Sequence, residues 1–333
     1  MGHTKNRQHT PRHGTKQYWP KKRAKRMYAR VRSWVNSKNT LLQAFPGYKV
    51  GMTHVVLKDN RTHSITKGEN IVWPVTVVEC PAIRIFSIRF YKNTPYGLRL
   101  VSEILNNKLD KDVERKIVMP KKDELETKLK EMTSNLDKYH ELRVNVYTQP
   151  KKVGIEKKKP EIMEIGIGGS DIKTKFEYVK GLLDKEIKVS DIIKQGNKFD
   201  VHSVTKGKGF QGTVKRFGVQ LRSHKSEKKR RGNVIGAEMP KKVLWGTMMP
   251  GGLGTHLRTE YNRDILFVGQ DPNKVNPKGG FLHYGLIKND YLLIKGSVAG
   301  HVKRLVTLVE PVRGGKGLGA GVEIVTISQE SKQ

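Results

Sequence analysis

The sequence contains one cysteine, Cys80, among 333 residues. A single thiol cannot form a disulfide within the chain, nor can it close a zinc site built on several cysteines. No apolar run approaches the roughly 20 residues that span a bilayer, and the first residues lack the apolar stretch of a signal peptide. We therefore expect no membrane contact and a protein that stays in the reducing compartment where it is made.

Acidic residues are also scarce: 31 Asp and Glu stand against 65 Lys and Arg, which gives a formal charge of +34. Membranes and acidic proteins could both neutralise such a field, but an excess of this size is most typical of proteins that bind nucleic-acid phosphates. Apolar residues make up 36% of the chain, which is enough to bury a core in one large domain or two ordinary ones. Complete disorder is therefore not expected.

The positive charge is concentrated in two segments. Residues 1–38 contain 12 Lys or Arg and no Asp or Glu, and residues 206–259 contain 13 against two. The first segment also carries Tyr18, Trp19 and Trp34, and aromatic rings among cations are suited to stacking on unpaired bases while the charges meet phosphates. The alternative is a solvated basic arm with weak, nonspecific charge. We interpret both segments as RNA-binding arms that become ordered on RNA.

The spacing of apolar residues predicts a mainly β fold with an α-helical insertion. Strand-like runs occupy 45–91 and return four times after residue 197. Between them, apolar residues spaced three and four apart predict two amphipathic helices. The first would present Leu125, Leu129, Met132, Leu136 and Tyr139, and the second would begin after Ser170 or Asp171 and bury Phe176, Val179, Leu182 and Leu183. Strands from both sides of the insertion would pair to close one sheet or barrel, because neither side has enough strands alone.

These patterns divide the chain into predicted parts. They are a basic N-terminal extension (1–44), the first part of a β-barrel (45–101), the α-helical insertion (102–186), and the second part of the barrel (187–333), which includes an extended basic loop (206–261).

A glycine pattern in the second basic segment raises the possibility of nucleotide chemistry. Gly207, Gly209 and Gly212 have GxGxxG spacing, but a dinucleotide site needs an apolar-striped helix next and an acidic residue about 20 positions on, and a kinase needs further motifs. Neither set is present. The glycines are better suited to close approach of the backbone to a phosphate, with Lys206 and Lys208 beside them. The histidines form no metal-binding motif, so we expect no metal. The sequence also contains no recognisable catalytic constellation, so we expect no enzyme activity, cofactor or small-molecule substrate.

Several longer motifs resemble one known family. They are GHTKNRQHTPRHG at 2–14, FPGYKVGMTHV at 45–55, PVTVVECP at 74–81, DVHSVTKGKGFQGTVKRFGV at 200–219, RTEYNRDI at 258–265 and KGSVAGHVKRLV at 295–306. Together they resemble the archaeal and eukaryotic branch of the universal large-subunit ribosomal protein L-three family, and the likeness covers essentially the whole chain.

The resemblance implies a function as well as a fold. Members have a β-barrel of the translation-protein type and two extensions into large-subunit rRNA, and they assist early rRNA assembly and support the region near the peptidyl transferase centre. It implies a cytoplasmic location in the large ribosomal subunit, with rRNA and neighbouring ribosomal proteins as partners. The rRNA-binding residues expected from the charge map and the resemblance are His3, Lys5, Arg7, Arg12, His13, Lys16, Trp19, Lys22, Arg23, Arg26, Arg30, Lys206, Lys208, Gly209, Phe210, Gly212, Lys215, Arg216, Arg222, His224, Lys228, Lys229, Arg230, Arg231, Lys241 and Arg258.

The sequence departs from the family pattern near the expected tip of the loop. Where the family has Gly-x-Trp-x-Pro, this chain has Glu238 in place of the aromatic residue, and Trp245 follows seven residues later. A carboxylate cannot stack on a base as an indole does, and phosphates repel it unless a cation such as Lys241 compensates.

Two other functions are consistent with parts of the sequence. A nonspecific architectural RNA-binding protein or RNA chaperone would share the charge, and it would not distinguish its rRNA from random RNA. A phosphotransferase would use the glycine pattern, and its affinity for ATP would depend on Gly209.

Overall fold

The computed structural model describes residues 14–119, 125–225, 235–236, 239, 241–315, 317–318 and 322–330. Its strands are β1 (Ala44–Asp59), β2 (Asn70–Glu79), β3 (Arg84–Thr94), β4 (Gly97–Leu105), β5 (Glu141–Tyr147), β6 (Ile162–Gly166), β7 (Lys198–Val204), β8 (Phe210–Gln211), β9 (Gly251–Gly252), β10 (Leu257–Gly269), β11 (Tyr291–Lys295), β12 (Leu305–Val309) and β13 (Val322–Ile327). Its α-helices are α1 (Leu125–Ser134), α2 (Ile172–Leu182) and α3 (Thr213–Phe217). The prediction of a mainly β fold is confirmed.

The largest sheet has seven strands in the order β12-β7-β10-β11-β2-β1-β13. The long strand β1 also pairs with β12, from Ala44 opposite Val309 to Tyr48 opposite Leu305, while its second half pairs with β13. Strand β1 therefore pairs with β12 as well as with β2 and β13, and closure of the sheet into a barrel stays a prediction. The translation-protein type of this arrangement stays a prediction.

Strands from both sides of the predicted insertion meet in this sheet. Strand β2 pairs antiparallel with β11, with Val77 opposite Leu293, and β1 pairs with β12. The prediction that distant strands pair across the insertion is confirmed. The strands on both sides are rich in β-branched and aliphatic residues that are fully buried, which explains why the sequence pattern reveals them.

Both predicted helices are present. Helix α2 follows Asp171 and buries Phe176 and Val179, and α1 begins at Leu125. The first helix ends sooner than its apolar stripe predicts, and Leu136 lies in a short 3-10 turn.

The prediction of an α-helical insertion at 102–186 did not include the strands that the structure shows in this stretch. Strand β4 extends into this stretch, and β5 and β6 lie within it, forming a second sheet in the order β4-β3-β5-β6. Leu142, Val144 and Val146 alternate along β5 and are buried, which is the period expected of a strand. The domain boundaries given above stay predictions.

The chain divides into two compact units. The first, here called the basic unit, comprises Met1–Arg26 and Thr205–Leu257, and the second, the β unit, comprises Met27–Val204 and Arg258–Gln333. The β unit contains the main apolar core, in which Tyr48, Phe90 and Tyr291 are among the largest fully buried side chains. No helix among the described residues is long and apolar enough to cross a membrane.

Candidate nucleic-acid interface

A short antiparallel ladder forms the framework of the basic unit. Strands β8 and β9 pair with each other. Two further backbone hydrogen bonds continue the ladder: the Lys208 amide donates to the Leu253 carbonyl at 2.9 Å, and the Thr205 amide donates to the His256 carbonyl at 2.9 Å. Lys206 and Lys208 lie on this ladder and are exposed. The sequence interpretation of this segment as a loop with little regular structure missed the ladder and α3, because their strands are only two residues long and the helix only five.

The glycines of this segment have different roles. Gly254 has a φ of +85°, and a Cβ there would overlap the carbonyl oxygen of Lys206, so the ladder requires glycine at this position. A Cβ at Gly207 would lie 3.1 Å from the Thr255 hydroxyl, whereas one at Gly212 would meet open space. Gly212 precedes a helix of only five residues, which does not match the long helix of a dinucleotide site.

The N-terminal segment packs against the central segment within the basic unit. The Gly14 amide donates to the Gly218 carbonyl at 3.0 Å, and the Ala24 amide donates to the Thr255 carbonyl at 2.8 Å. The imidazole Nδ1 of His256 lies 2.7 Å from the carbonyl oxygen of Lys22. The sequence predicts two separate arms, and no local pattern reveals that they pack together, because these hydrogen bonds join residues far apart in the chain.

An aromatic cluster fills the space between the two segments of this unit. The Trp19 ring lies 5.4 Å from Phe217 and 5.3 Å from Trp245, centroid to centroid. Phe217 is buried, with 2% of its surface exposed, and the Lys21 ammonium lies 5.2 Å from its ring centroid. The Trp19 ring therefore has a structural use inside the unit, beside the RNA contact that the sequence predicts for it.

Arg216 is similarly engaged by its own unit. Its Nε donates to the Gly252 carbonyl at 3.1 Å and its Nη1 donates to the Met249 carbonyl at 2.7 Å. Its guanidinium also lies 5.1 Å from the centroid of the Phe217 ring. Because the planar guanidinium offers several donors in fixed directions, this residue connects α3 to β9 and to the residues just before it. The hydrogen bonds indicate a positioning role that the sequence does not suggest.

The charge of the basic unit is almost entirely of one sign. It contains 21 Lys or Arg and two acidic residues, Glu227 and Glu238, and both of these lie outside the described residues. In the β unit, by contrast, many cations pair with carboxylates, as Arg84 does with Asp110 at 3.0 Å and Glu186 at 2.9 Å. The described part of the basic unit has no carboxylate of its own with which to neutralise its field, so it is suited to a polyanionic partner.

The predicted binding residues are distributed as follows. Those exposed in the basic unit are Lys16, Lys22, Arg23, Arg26, Lys206, Lys208, Gly209, Phe210, Gly212, Lys215, His224 and Lys241. Those partly buried in it are Trp19, Arg216 and Arg222. Arg30 and Arg258 belong to the β unit. His3, Lys5, Arg7, Arg12, His13, Lys228, Lys229, Arg230 and Arg231 lie outside the described residues, as does Glu238.

Large apolar side chains are exposed among these cations. Phe210 and Trp245 are each 76% exposed, Met239 is 75% exposed and Leu244 is 60% exposed. Of these, only Phe210 is among the binding residues predicted from the sequence. A cationic surface with exposed rings can both neutralise phosphates and stack on bases. Across the described ranges, no group of three or more His, Cys, Asp or Glu is arranged to hold a metal ion.

Comparison with known proteins identifies the family. The whole chain, residues 1–333, matches the family described as "Ribosomal protein L3". A protein of Methanocaldococcus jannaschii named large ribosomal subunit protein uL3 is 43% identical over 327 residues, which cover 97% of each chain. The uL3 protein of Archaeoglobus fulgidus is 43% identical over 98% of each chain, and that of Methanosphaera stadtmanae is 41% identical over 98% of this chain and 99% of its own.

These matches define the class as that of the structural ribosomal proteins, not of the enzymes. The chain belongs to the ribosomal protein L3 family. The family resemblance carried by the motifs of the sequence is thereby confirmed.

Proposed function

We propose that this protein is a structural constituent of the large ribosomal subunit, located in the cytoplasm, that binds large-subunit rRNA through its basic unit. The observation that carries the proposal is the joining of two strongly basic segments into one compact unit whose described residues include no carboxylate side chain. The names of its archaeal relatives, which are large ribosomal subunit proteins, favour the large subunit and the presence of ribosomal-protein neighbours.

Recognition rests on phosphate neutralisation together with shape. Lys206 and Lys208 lie on the ladder, and Lys215 lies on α3, so a fixed backbone presents these three exposed ammonium groups. The major groove of A-form RNA is too narrow for side chains to read. Specificity therefore comes from the spacing of the cations and from unpaired bases that meet exposed rings such as Phe210 and Trp245.

The same unit gives the protein a role in assembly. A folded cationic unit that neutralises several phosphates lowers the repulsion between RNA segments brought close to it. We infer that the protein assists early folding of large-subunit rRNA and supports the region near the peptidyl transferase centre, as the family resemblance implies. Peptide-bond chemistry is not assigned to this chain.

Salt-dependent binding of the full chain to large-subunit rRNA tests the proposal. Replacing Lys206, Lys208 and Lys215 together by Gln should weaken binding and reduce the slope of log K against log salt by about 0.7 to 0.9 for each phosphate that is no longer neutralised. A matched control replaces three exposed lysines of the β unit, Lys92, Lys130 and Lys180.

Two results would contradict the proposal. One is equal binding of wild-type protein to large-subunit rRNA and to a random RNA of the same length, which would favour a nonspecific chaperone. The other is an unchanged salt slope in the variant of the basic unit alongside a reduced slope in the control.

A further inference from the structure

The β unit carries an arginine stacked on a tyrosine at its surface. The guanidinium carbon of Arg313 lies 4.0 Å from the centroid of the Tyr261 ring. Tyr261 is 44% exposed and Arg313 is exposed. Neither residue belongs to the basic unit described above, and neither is among the binding residues predicted from the sequence.

One buried carboxylate holds the backbone beside both members of this pair. Asp200 has no exposed surface, and its Oδ1 accepts a hydrogen bond from the Asn262 amide at 2.7 Å. Its Oδ2 accepts one from the Val312 amide at 3.0 Å. Asn262 follows Tyr261 and Val312 precedes Arg313, so Asp200 fixes the main chain next to each side chain. Burying a carboxylate is unfavourable unless it is hydrogen-bonded. The two backbone amides satisfy Asp200, and in turn Asp200 holds the two backbone segments in place.

The surroundings of the pair suit a nucleotide. Gly314 and Gly315 follow Arg313 with φ values of +65° and +144°, and glycines at such positions leave the backbone open to close approach. A Cβ at Gly315 would lie 3.5 Å from the Lys198 side chain and 3.7 Å from the Asn262 Oδ1. That Oδ1 is buried and accepts no hydrogen bond from the described residues. A cation and a glycine turn therefore adjoin the stacked pair.

We infer that Tyr261 and Arg313 form a second RNA contact, on the β unit, for an unpaired nucleotide. The outer face of a guanidinium already stacked on a ring can accept a base, while its edge can donate to a phosphate. A protein partner fits less well, because the glycine turn offers little apolar surface. This inference rests on the proposed RNA-binding function.

Binding of the full chain to large-subunit rRNA, measured by titration, tests the inference. Tyr261→Ala and Arg313→Gln should each weaken binding by about 5- to 150-fold, since stacking on a base contributes roughly 1–3 kcal/mol. Arg313→Lys keeps the charge and removes the planar face, so its affinity should also fall. The matched control is Arg115→Gln, which alters an exposed arginine of the β unit. Thermal unfolding would identify any variant that fails to fold.

Ultraviolet crosslinking of the wild-type protein in assembled subunits gives a second readout that needs no variant. Attachment of a nucleotide to Tyr261 is the expected result. Crosslinks from Tyr261 to another protein alone would overturn the inference in favour of a protein contact, as would unchanged rRNA affinity in both folded variants. Failure of the wild-type protein to bind rRNA specifically would instead overturn the proposed function, so the two failures are distinguishable.

Discussion

The indole ring of Trp19 lies 5.4 Å from the phenyl ring of Phe217, with the two planes tilted by 39°. Trp19 belongs to the N-terminal segment, whereas Phe217 ends α3 in the central segment. The two basic segments of the sequence are therefore joined through their aromatic residues. Like charges on the two segments repel, and this apolar packing, together with the backbone hydrogen bonds nearby, offsets that repulsion.

Removal of either ring should open the basic unit. Phe217→Ala should destabilise it by about 3–5 kcal/mol, as expected for a buried phenyl ring. A double-mutant cycle with Trp19→Ala should give a coupling of about 0.5–1.5 kcal/mol. Hydrogen exchange at the Gly14 and Gly218 amides, which are both hydrogen-bonded in this unit, measures the opening. Phe210→Ala is the control, since that ring is 76% exposed, and a coupling of zero would show that the ring pair stabilises nothing.

Arg216 and its neighbour Lys215 should respond differently to substitution. Arg216→Lys retains the charge but removes the paired donation to the Gly252 and Met249 carbonyls, so hydrogen exchange in β8 and β9 should accelerate. Lys215→Gln should leave exchange unchanged and reduce the salt slope of rRNA binding. Identical behaviour of the two variants in both measurements would refute a positioning role for Arg216.

The ladder of the basic unit should tolerate a methyl group at one glycine and not at another. Gly254→Ala places a Cβ against the Lys206 carbonyl at a positive φ, which should cost about 1–3 kcal/mol. Gly252→Ala adds the same group where no atom lies within 4 Å. Protease cleavage within 205–257 should therefore quicken only in the first variant. Equal cleavage rates in the two variants would show that the ladder accepts a Cβ at residue 254 and does not require glycine there.

Acid should weaken the β unit through His202. Burial lowers the pKa of His202, although the nearby Asp200 carboxylate acts in the opposite direction. The unfolded chain therefore takes up a proton more readily than the folded one, and the free energy of unfolding falls as the pH drops below about 6.5.

Thermal unfolding at pH 7.5 and pH 5 checks this expectation. The decrease in Tm between the two should be smaller in His202→Gln than in the wild type. His63→Gln, which replaces an exposed histidine, should leave the decrease unchanged. If His202→Gln and the wild type fall by the same amount, this histidine does not contribute to the acid sensitivity.

Much of the β unit is predictable from local patterns. Apolar alternation and β-branched residues locate β1 and β12, and helical spacing locates α2 through Phe176 and Val179. Strand β5 is missed because Leu142 follows Tyr139 by three residues and so continues the helical spacing of the apolar residues. The spacing changes to every second residue only after Leu142, and so short a change looks like the end of a helix.

The candidate site is predictable in charge but not in geometry. Exposed cations such as Lys206 and Lys208 follow from composition alone. The role of Arg216 does not, because its acceptors are backbone oxygens that no side-chain pattern reveals. The hydrogen bonds of Asp200 to the main chain near Tyr261 and Arg313 are hidden for the same reason.

Crosslinking of the protein to RNA in cell lysate, with sequencing of the RNA and mapping of the attached residues, tests the central claim most directly. We predict that residues 14–26 and 205–257 crosslink to neighbouring nucleotides of large-subunit rRNA, because they belong to one compact unit. Crosslinks from the two segments to unrelated RNAs would contradict the claim that they form a single rRNA-binding surface.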